Sequence, residues 1–232
     1  MKPLRCETSP EVDLTVIDRL RRFPREPDWL ISAVRSVVAL IIRAWLRFYF
    51  RFEIVGHQHL RTNRSLVLVA NHASHLDTLC LLAALPLRRL HRAFPAAAED
   101  YFFRSVSRTW FATVILNALP FARQANVRQT LSVCGDLLDQ PGNILIIFPE
   151  GTRSRDGRIQ EFKSGIGALV AGRDVTVVPC RLDGAFHAWP KGKRLPRPRK
   201  VRVVVGKPRS YALRSGDKAA IASELEDAVR KL

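Results

Sequence analysis

The sequence predicts an α/β fold: a mixed, largely parallel sheet flanked by helices, with a helical segment at its N-terminal end. Three observations carry this. After Arg51, short β-rich runs alternate with helix-length segments, the pattern of a sheet with helices packed on it. Two of those runs, Asn143–Phe148 and Val175–Val178, are continuously apolar, as strands covered on both faces are. Before them, Trp29–Phe50 is a long, mostly apolar stretch with no Gly or Pro to interrupt a helix.

The chain of 232 residues suits one domain with a small appendage, divided here as a helical region over 1–50 and a main domain over 51–232. An apolar share of 47% with 25% charged residues excludes wholesale disorder. The excess of 38 Lys and Arg over 21 Asp and Glu gives a net charge of +17, which points to an anionic partner: nucleic acid, a lipid surface or phosphorylated metabolites. Cys6, Cys80, Cys134 and Cys180 are widely spaced and form no C-x-x-C pair, so a reducing compartment is expected and a zinc site is not. No apolar core of a signal peptide appears in the first residues, and a cytoplasmic protein is expected.

Within Trp29–Phe50, "WLISAVRSVVALIIRAWLRFYF", eleven Leu, Ile, Val and Phe residues are offset by Arg35, Arg43 and Arg47. At roughly −0.3 to −0.6 kcal/mol for each apolar residue and about +3 for a central arginine, spanning a bilayer is close to break-even and not favoured. On a helix the three arginines share an arc of roughly 120°. A basic stripe opposite a broad apolar face suits a helix lying in a membrane interface, the alternative being a helix packed on the core. The strand runs that follow are "RFEIVG", "SLVLVA", "NILIIFP", "DVTVVPC" and "KVRVVVG"; helices are expected near 75–84, 99–116, 125–139, 162–172 and 215–231. Residues 191–200, "KGKRLPRPRK", read as a basic loop.

Several common motifs are missing: the nucleophile elbow G-x-S-x-G, the zinc helix H-E-x-x-H and the phosphate loop G-x-x-x-x-G-K-[ST]. "SGIGALV" offers Gly165 and Gly167 but places Val170 where a dinucleotide fingerprint needs its third glycine. Two stretches remain, each at the end of an apolar strand. "NHASHLD" (71–77) sets two imidazoles and a carboxylate after "SLVLVA". "IFPEGTRSRDG" (147–157) turns at Pro149 and Gly151, so that Glu150, Thr152 and Arg153 emerge at the sheet edge where open α/β folds bind ligands. Both can face one crevice. If the helix begins near Ser74, Ser74 is a plausible N-cap and Asp77 sits at its capping-box distance. Two roles are then open to Asp77. It caps, or it accepts a hydrogen bond from one nitrogen of His72 and leaves the other as a proton acceptor. Neither Ser74 nor a nearby cysteine has the context of a covalent nucleophile. His75 competes with His72 on sequence alone and is placed on the outward side of the turn.

Together these stretches resemble the glycerolipid acyltransferases typified by 1-acylglycerol-3-phosphate acyltransferase. The first family motif, N-H-x-S-x-x-D, is matched by Asn71, His72, Ser74 and Asp77; the third, F-P-E-G-T-R-S, by Phe148 through Ser154, Pro149 included. Phe162, Lys163 and Gly165 match a downstream F-K-x-G element, and Val178 and Pro179 a V-P element. The second motif is a poor match: "NALPFAR" (117–123) keeps only Arg123 clearly, and that motif is associated with the acceptor.

The resemblance implies a glycerol-3-phosphate acyltransferase-like fold and an acyl transfer in which His72, oriented by Asp77, deprotonates an acceptor hydroxyl as it attacks an acyl thioester. Arg123, Glu150, Gly151, Thr152, Arg153 and Lys163 are expected to bind the acceptor, lysophosphatidic acid in the leading reading and another hydroxylated lipid such as a lyso-ornithine lipid in the alternative. No cofactor or metal is implied; acyl-coenzyme A or acyl carrier protein supplies the acyl group. The protein is expected as a peripheral or monotopic one at the cytoplasmic face of the inner membrane, held to anionic lipid by its positive charge. A nucleic-acid-binding module is the rival from another class; it lacks a recognition-helix motif and interleaved stacking aromatics.

Overall fold

The computed structural model describes residues 29–98, 119–121, 127–214 and 216–232. In chain order its elements are helix α1 (Trp29–Phe50), strand β1 (Glu53–Val55), strand β2 (Leu66–Ala70), helix α2 (Asp77–Ala84), strand β3 (Ala93–Ala98), strand β4 (Leu119–Phe121) and helix α3 (Val127–Leu138). Then come strand β5 (Ile144–Ile147), helix α4 (Gly165–Val170), strand β6 (Thr176–Asp183), helix α5 (Ala185–Ala188), strands β7 (Arg202–Val205) and β8 (Arg209–Ser210), and helix α6 (Lys218–Arg230).

The strands form one eight-stranded sheet in the order β1-β7-β6-β2-β5-β3-β4, with β8 also paired to β6. Pairs β1/β7, β2/β5, β2/β6, β3/β5 and β3/β4 are parallel; β6/β7 and β6/β8 are antiparallel. The mixed, largely parallel α/β class is thus as the sequence reads. Strand β2 is central, flanked by β5 and β6, and all five of its residues are buried.

Alternation along these strands divides the core in two. Leu66, Leu68, Ile144, Ile146, Val178 and Cys180 face one side, against Leu46 and Phe50 of α1 and Cys80 and Leu81 of α2. Val67, Val69, Leu145 and Val177 face the other, against α3, α4 and α6 through Cys134, Ile166, Leu169, Ile221 and Leu225. Burial pushes the Cys134 and Cys180 thiols up to about 12, so both stay protonated as apolar filling. At the N-terminal edge of the parallel strands, buried Arg89 donates to the backbone carbonyls of Thr62, Arg64 and Gly142, tying together the segments that enter β2 and β5.

Several local expectations are corrected. Helix α2 begins at Asp77 rather than near Ser74, and α4 is shorter than 162–172 because Lys163 donates its N–H back to Pro149 before the helix starts. Helix α6 starts after Asp217, whose carboxylate accepts from Ala219 and Ala220 N–H groups, an N-cap that shortens the expected 215–231. Strands β3, β4 and β8 were not anticipated. The helix expected near 99–116 and the segment before residue 27 lie outside the described residues.

The largest correction concerns α1. Two of the three arginines of the expected basic stripe turn inward: Arg35 and Arg43 are half-buried, the Arg43 guanidinium donating to the carbonyl of Leu85 at the end of α2, while Arg47 is exposed. Desolvation lowers the pKa of both arginines. Val34, Val37, Leu40, Ile41 and Phe48 point outward, Phe48 with 85% of its surface exposed. Among the described residues, no helix is long and apolar enough to cross a membrane.

Candidate active site

In a parallel sheet the loops leaving the C-terminal ends of neighbouring strands share one edge, so the chain after β2 and the chain after β5 must meet. They meet at His72. Its backbone N–H donates to Glu150 Oε1 (2.8 Å), and its carbonyl accepts from the Ser154 N–H (2.8 Å). The imidazole stacks on the Phe148 ring, with centroids 4.1 Å apart and planes 16° apart. The residues of 148–154 therefore grip His72 at backbone and ring.

Asn71 fixes the start of this turn. It follows the last paired residue of β2, and its carboxamide takes up the ladder where the backbone departs. The side chain donates to the Leu182 carbonyl (3.1 Å) and accepts the Leu182 N–H (2.8 Å). Neither backbone group of Leu182 is then left unpaired in a buried place.

Asp77 is fully buried (0% exposed), and its Oδ2 accepts three hydrogen bonds: from His72 Nδ1 (2.8 Å), Ala73 N–H (2.7 Å) and Ser74 N–H (2.8 Å). It therefore does both things the sequence left open: it ties the turn at the start of α2 and orients the imidazole. An ionised carboxylate only accepts, so His72 carries its proton on Nδ1 and Nε2 keeps a lone pair. With the His72 side chain 21% exposed, the dyad is the arrangement of a general base. The Ser74 hydroxyl is occupied elsewhere: it accepts from the Leu76 N–H (3.1 Å) and donates to the Trp189 carbonyl (2.7 Å).

Glu150 departs from its expected place. It is buried behind His72, on the backbone side of the turn, and accepts the His72 N–H rather than presenting its carboxylate to a ligand. Burial raises its pKa to about 7, against the lowering effect of N–H groups from His72 and Gln160. Gly151 differs too. Its φ of +71° is a conformation that favours glycine, but the space a side chain would fill is taken by Lys163, whose Nζ would lie 2.7 Å from an added Cβ. The glycine admits a lysine of this chain, and an exposed ammonium is thereby held at the rim. Thr152 is exposed beside it.

Arg153 is half-buried, with its guanidinium 2.6 Å from His75 Nδ1. His75 is not on an outward face as expected: it is half-buried, and its ring lies tilted against Trp189 at 5.2 Å. Burial, then the Arg153 charge, hold its pKa down at about 4, so it is a neutral partner for that guanidinium. The second imidazole thus serves the arginine, and His72 alone meets the buried acid. Trp189 was missed: the sequence carries no signal that its carbonyl would receive both the Ser74 hydroxyl and the His75 N–H (3.3 Å). Strand β4 brings Leu119–Phe121 of "NALPFAR" into the sheet; Arg123 lies outside the described residues. No three His, Cys, Asp or Glu side chains converge as a metal site among the described residues.

Fold and site together define a protein with a histidine–aspartate dyad at the C-terminal edge of an α/β sheet. Residues 51–183 match the acyltransferase family model, and the chain belongs to that family. It is 32% identical over 163 residues to a 1-acyl-sn-glycerol-3-phosphate acyltransferase of Chlamydomonas reinhardtii, covering 68% of this chain and 47% of that protein. It is also 32% identical over 164 residues to a chloroplastic enzyme of the same name from Arabidopsis thaliana (69% and 44%), and 26% identical over 170 residues to the mouse alpha form (71% and 56%). The chain thus aligns with about half the length of the curated relatives it matches. Its fold is similar to that of the crystal structure of the 1-acyl-sn-glycerophosphate acyltransferase PlsC from Thermotoga maritima, with a TM-score of 0.65 at 22% identity over 95% of this chain and 87% of that one.

Proposed function

We propose that this protein is a membrane-associated O-acyltransferase that moves a fatty acyl group from a thioester to the free hydroxyl of a lysophospholipid, with 1-acylglycerol-3-phosphate as acceptor and phosphatidic acid as product. The observation that carries the reading is the His72–Asp77 dyad, with Nδ1 bonded to a fully buried carboxylate and Nε2 left for a substrate proton. His72 Nε2 takes the proton of the acceptor hydroxyl as its oxygen attacks the thioester carbonyl. The tetrahedral intermediate collapses, the carbon–sulfur bond breaks, and the leaving thiolate recovers the proton from Nε2. Asp77 stabilises the imidazolium that exists between these steps, and general-base assistance of this kind is worth about 10²–10⁴-fold in rate. Coenzyme A or acyl carrier protein is the leaving thiol.

Arg153 and Lys163 supply the positive charge for a phosphate at this rim, Arg153 with the planar donor fork that suits phosphate oxygens. The names of the relatives support lysophosphatidic acid as acceptor. The outward apolar face of α1 supports association with the cytoplasmic face of a membrane, where the acceptor resides. The degraded motif at 117–123 favours a second reading, the same chemistry on a phosphate-free lyso-lipid such as a lyso-ornithine lipid.

Purified protein assayed with both donors on a panel of lyso-lipids tests this. Phosphatidic acid formation that falls at least about 100-fold in His72→Ala is expected. Unchanged transfer in that variant removes the proposed base, and a preference for phosphate-free acceptors replaces the first reading with the second.

A further inference from the structure

Between α5 and β7 the chain runs through Lys191, Gly192, Lys193, Arg194, Leu195, Pro196, Arg197, Pro198, Arg199 and Lys200, with six basic residues and no acidic one. Every one of these except Pro196 is exposed. Lys200 is accounted for by an ion pair with Glu53 at 2.7 Å, which leaves five cations without a carboxylate among the described residues. At the tip stands Leu195, 80% exposed. A lone exposed leucine is ordinary on a protein surface. A leucine set among five unneutralised cations, on a segment stiffened by two prolines, is not accounted for by packing.

The loop is held at both sides. Tyr49, in the last turn of α1, donates its hydroxyl to the Pro196 carbonyl (3.2 Å), next to the outward-facing Phe48. On the other side, Trp189 Nε1 donates to the Lys193 carbonyl (2.9 Å) and the Arg197 N–H donates to the Ala188 carbonyl (2.8 Å). The Trp189 carbonyl in turn receives the Ser74 hydroxyl and the His75 N–H. A short series of hydrogen bonds therefore runs from the basic loop to the turn that carries His72.

We propose that residues 191–200 are a second docking element, which seats on an anionic lipid bilayer beside α1 and fixes the height of the His72 turn above the lipid surface. Its cations meet lipid phosphates while Leu195 enters the acyl boundary, the combination of charge and apolar surface that interfacial binding uses. This rests on the membrane-associated reading above and adds where, besides α1, the surface is met. The apolar tip and its continuity with the α1 face select lipid over nucleic acid, which would find no stacking aromatic in the loop.

The test is sedimentation of the full chain with vesicles of phosphatidylcholine alone or mixed with phosphatidylglycerol. The variants are Leu195→Asp and the triple change Lys193→Gln, Arg194→Gln, Arg197→Gln. Wild type is expected to favour the anionic vesicles, with a preference that shrinks as salt rises. The triple variant loses on the order of 100-fold in partitioning to anionic vesicles, and Leu195→Asp about 10-fold on either vesicle. Activity on a short-chain acceptor dissolved as monomers stays at the wild-type level in both variants, while activity on vesicle-borne acceptor falls with binding. Wild-type partitioning in the triple variant overturns the proposal, as does an equal loss of activity on monomeric and vesicle-borne acceptors. Loop-dependent binding to duplex DNA without loop-dependent binding to vesicles assigns the loop to nucleic acid and likewise overturns it. Should no acyl transfer be found with any acceptor, the proposed function fails, and the vesicle arms still decide the loop.

Discussion

Substitution of Glu150 separates two roles that the motif alone cannot: contact with the acceptor, or a clamp on His72, the proposed base. The carboxylate is buried, accepts the His72 N–H, and has its pKa raised from 4.5 to about 7, chiefly by burial. A folded-state pKa above the unfolded value means that the folded protein binds this proton more tightly. Stability from this group is therefore present below 4.5, declines as pH rises through the window up to about 7, and is flat above it. The interval corresponds to about 3 kcal/mol. Glu150→Gln cannot ionise but keeps an oxygen for the His72 N–H. Urea unfolding at a series of pH values should show the Gln variant gaining about 3 kcal/mol on wild type between the acid end and about pH 8. In kinetics the Gln variant keeps kcat within about 10-fold, whereas Glu150→Ala strands the N–H at a cost of about 1–3 kcal/mol and lowers kcat about 10- to 100-fold. Acceptor KM moves little in either. A Gln variant with the wild-type pH slope, or variants that raise KM with kcat intact, would refute the clamp.

Three further substitutions probe the dyad, the far edge of the sheet and a helix contact. Asp77→Asn removes the charge from an oxygen that holds His72 and two backbone N–H groups, so kcat should fall about 10²–10⁴-fold while acceptor KM changes little; steady-state kinetics decide. Arg89→Ala leaves three backbone carbonyls at the edge opposite the site without their donor and should cost about 2–4 kcal/mol in urea unfolding, with kcat retained. Gly167→Ala would place a Cβ 1.9 Å from the Lys218 carbonyl oxygen at the start of α6, and the forced shift of α6 should cost about 1–3 kcal/mol in thermal unfolding.

Much of the site was legible because its components are local or follow from sheet geometry. "SLVLVA" and "NILIIFP" read as buried strands, and parallel strands deliver their following loops to one edge; that the two motifs meet at His72 needs little more. The His72–Asp77 bond spans five residues and follows from a turn leading into a helix. What was not legible depends on distant partners. Nothing near Asn71 in sequence points to Leu182, and nothing in "NHASHLD" brings the second imidazole, His75, to Arg153. Glu150 looked like a ligand contact because turn residues at a strand end usually face outward; here the His72 N–H, itself unpaired after β2, draws the carboxylate inward. Strand β3, "AFPAAA", escaped because alanine and proline disfavour strands, and it is held by pairing with β5 and β4. Gly165 and Gly167 resembled part of a dinucleotide fingerprint; at Gly167 the glycine serves helix packing against α6.

Helix α1 shows why a count of apolar and basic residues could not set its orientation. The spacing of Arg35, Arg43 and Arg47 establishes two faces but not which one meets the protein. In water the apolar face would turn to the core and the arginines outward. Instead apolar residues lie on both sides: Leu46 and Phe50 enter the core, yet Arg43 also reaches inward to the Leu85 carbonyl at the end of α2, Arg35 is desolvated, and of the three arginines Arg47 stays exposed. Each inward guanidinium gives up hydration, an expense that the carbonyl at a helix C-terminus offsets in part. Each outward Val, Leu, Ile or Phe forgoes about 1–2 kcal/mol of burial. Both terms oppose this orientation in water. Both change when an apolar phase covers the outer face, because the exposed side chains are then buried and the arginines lie on the side away from hydrocarbon. The outward apolar face of α1 and the Leu195 loop joined to it through Tyr49 are therefore two parts of the one surface on which the proposed membrane association rests.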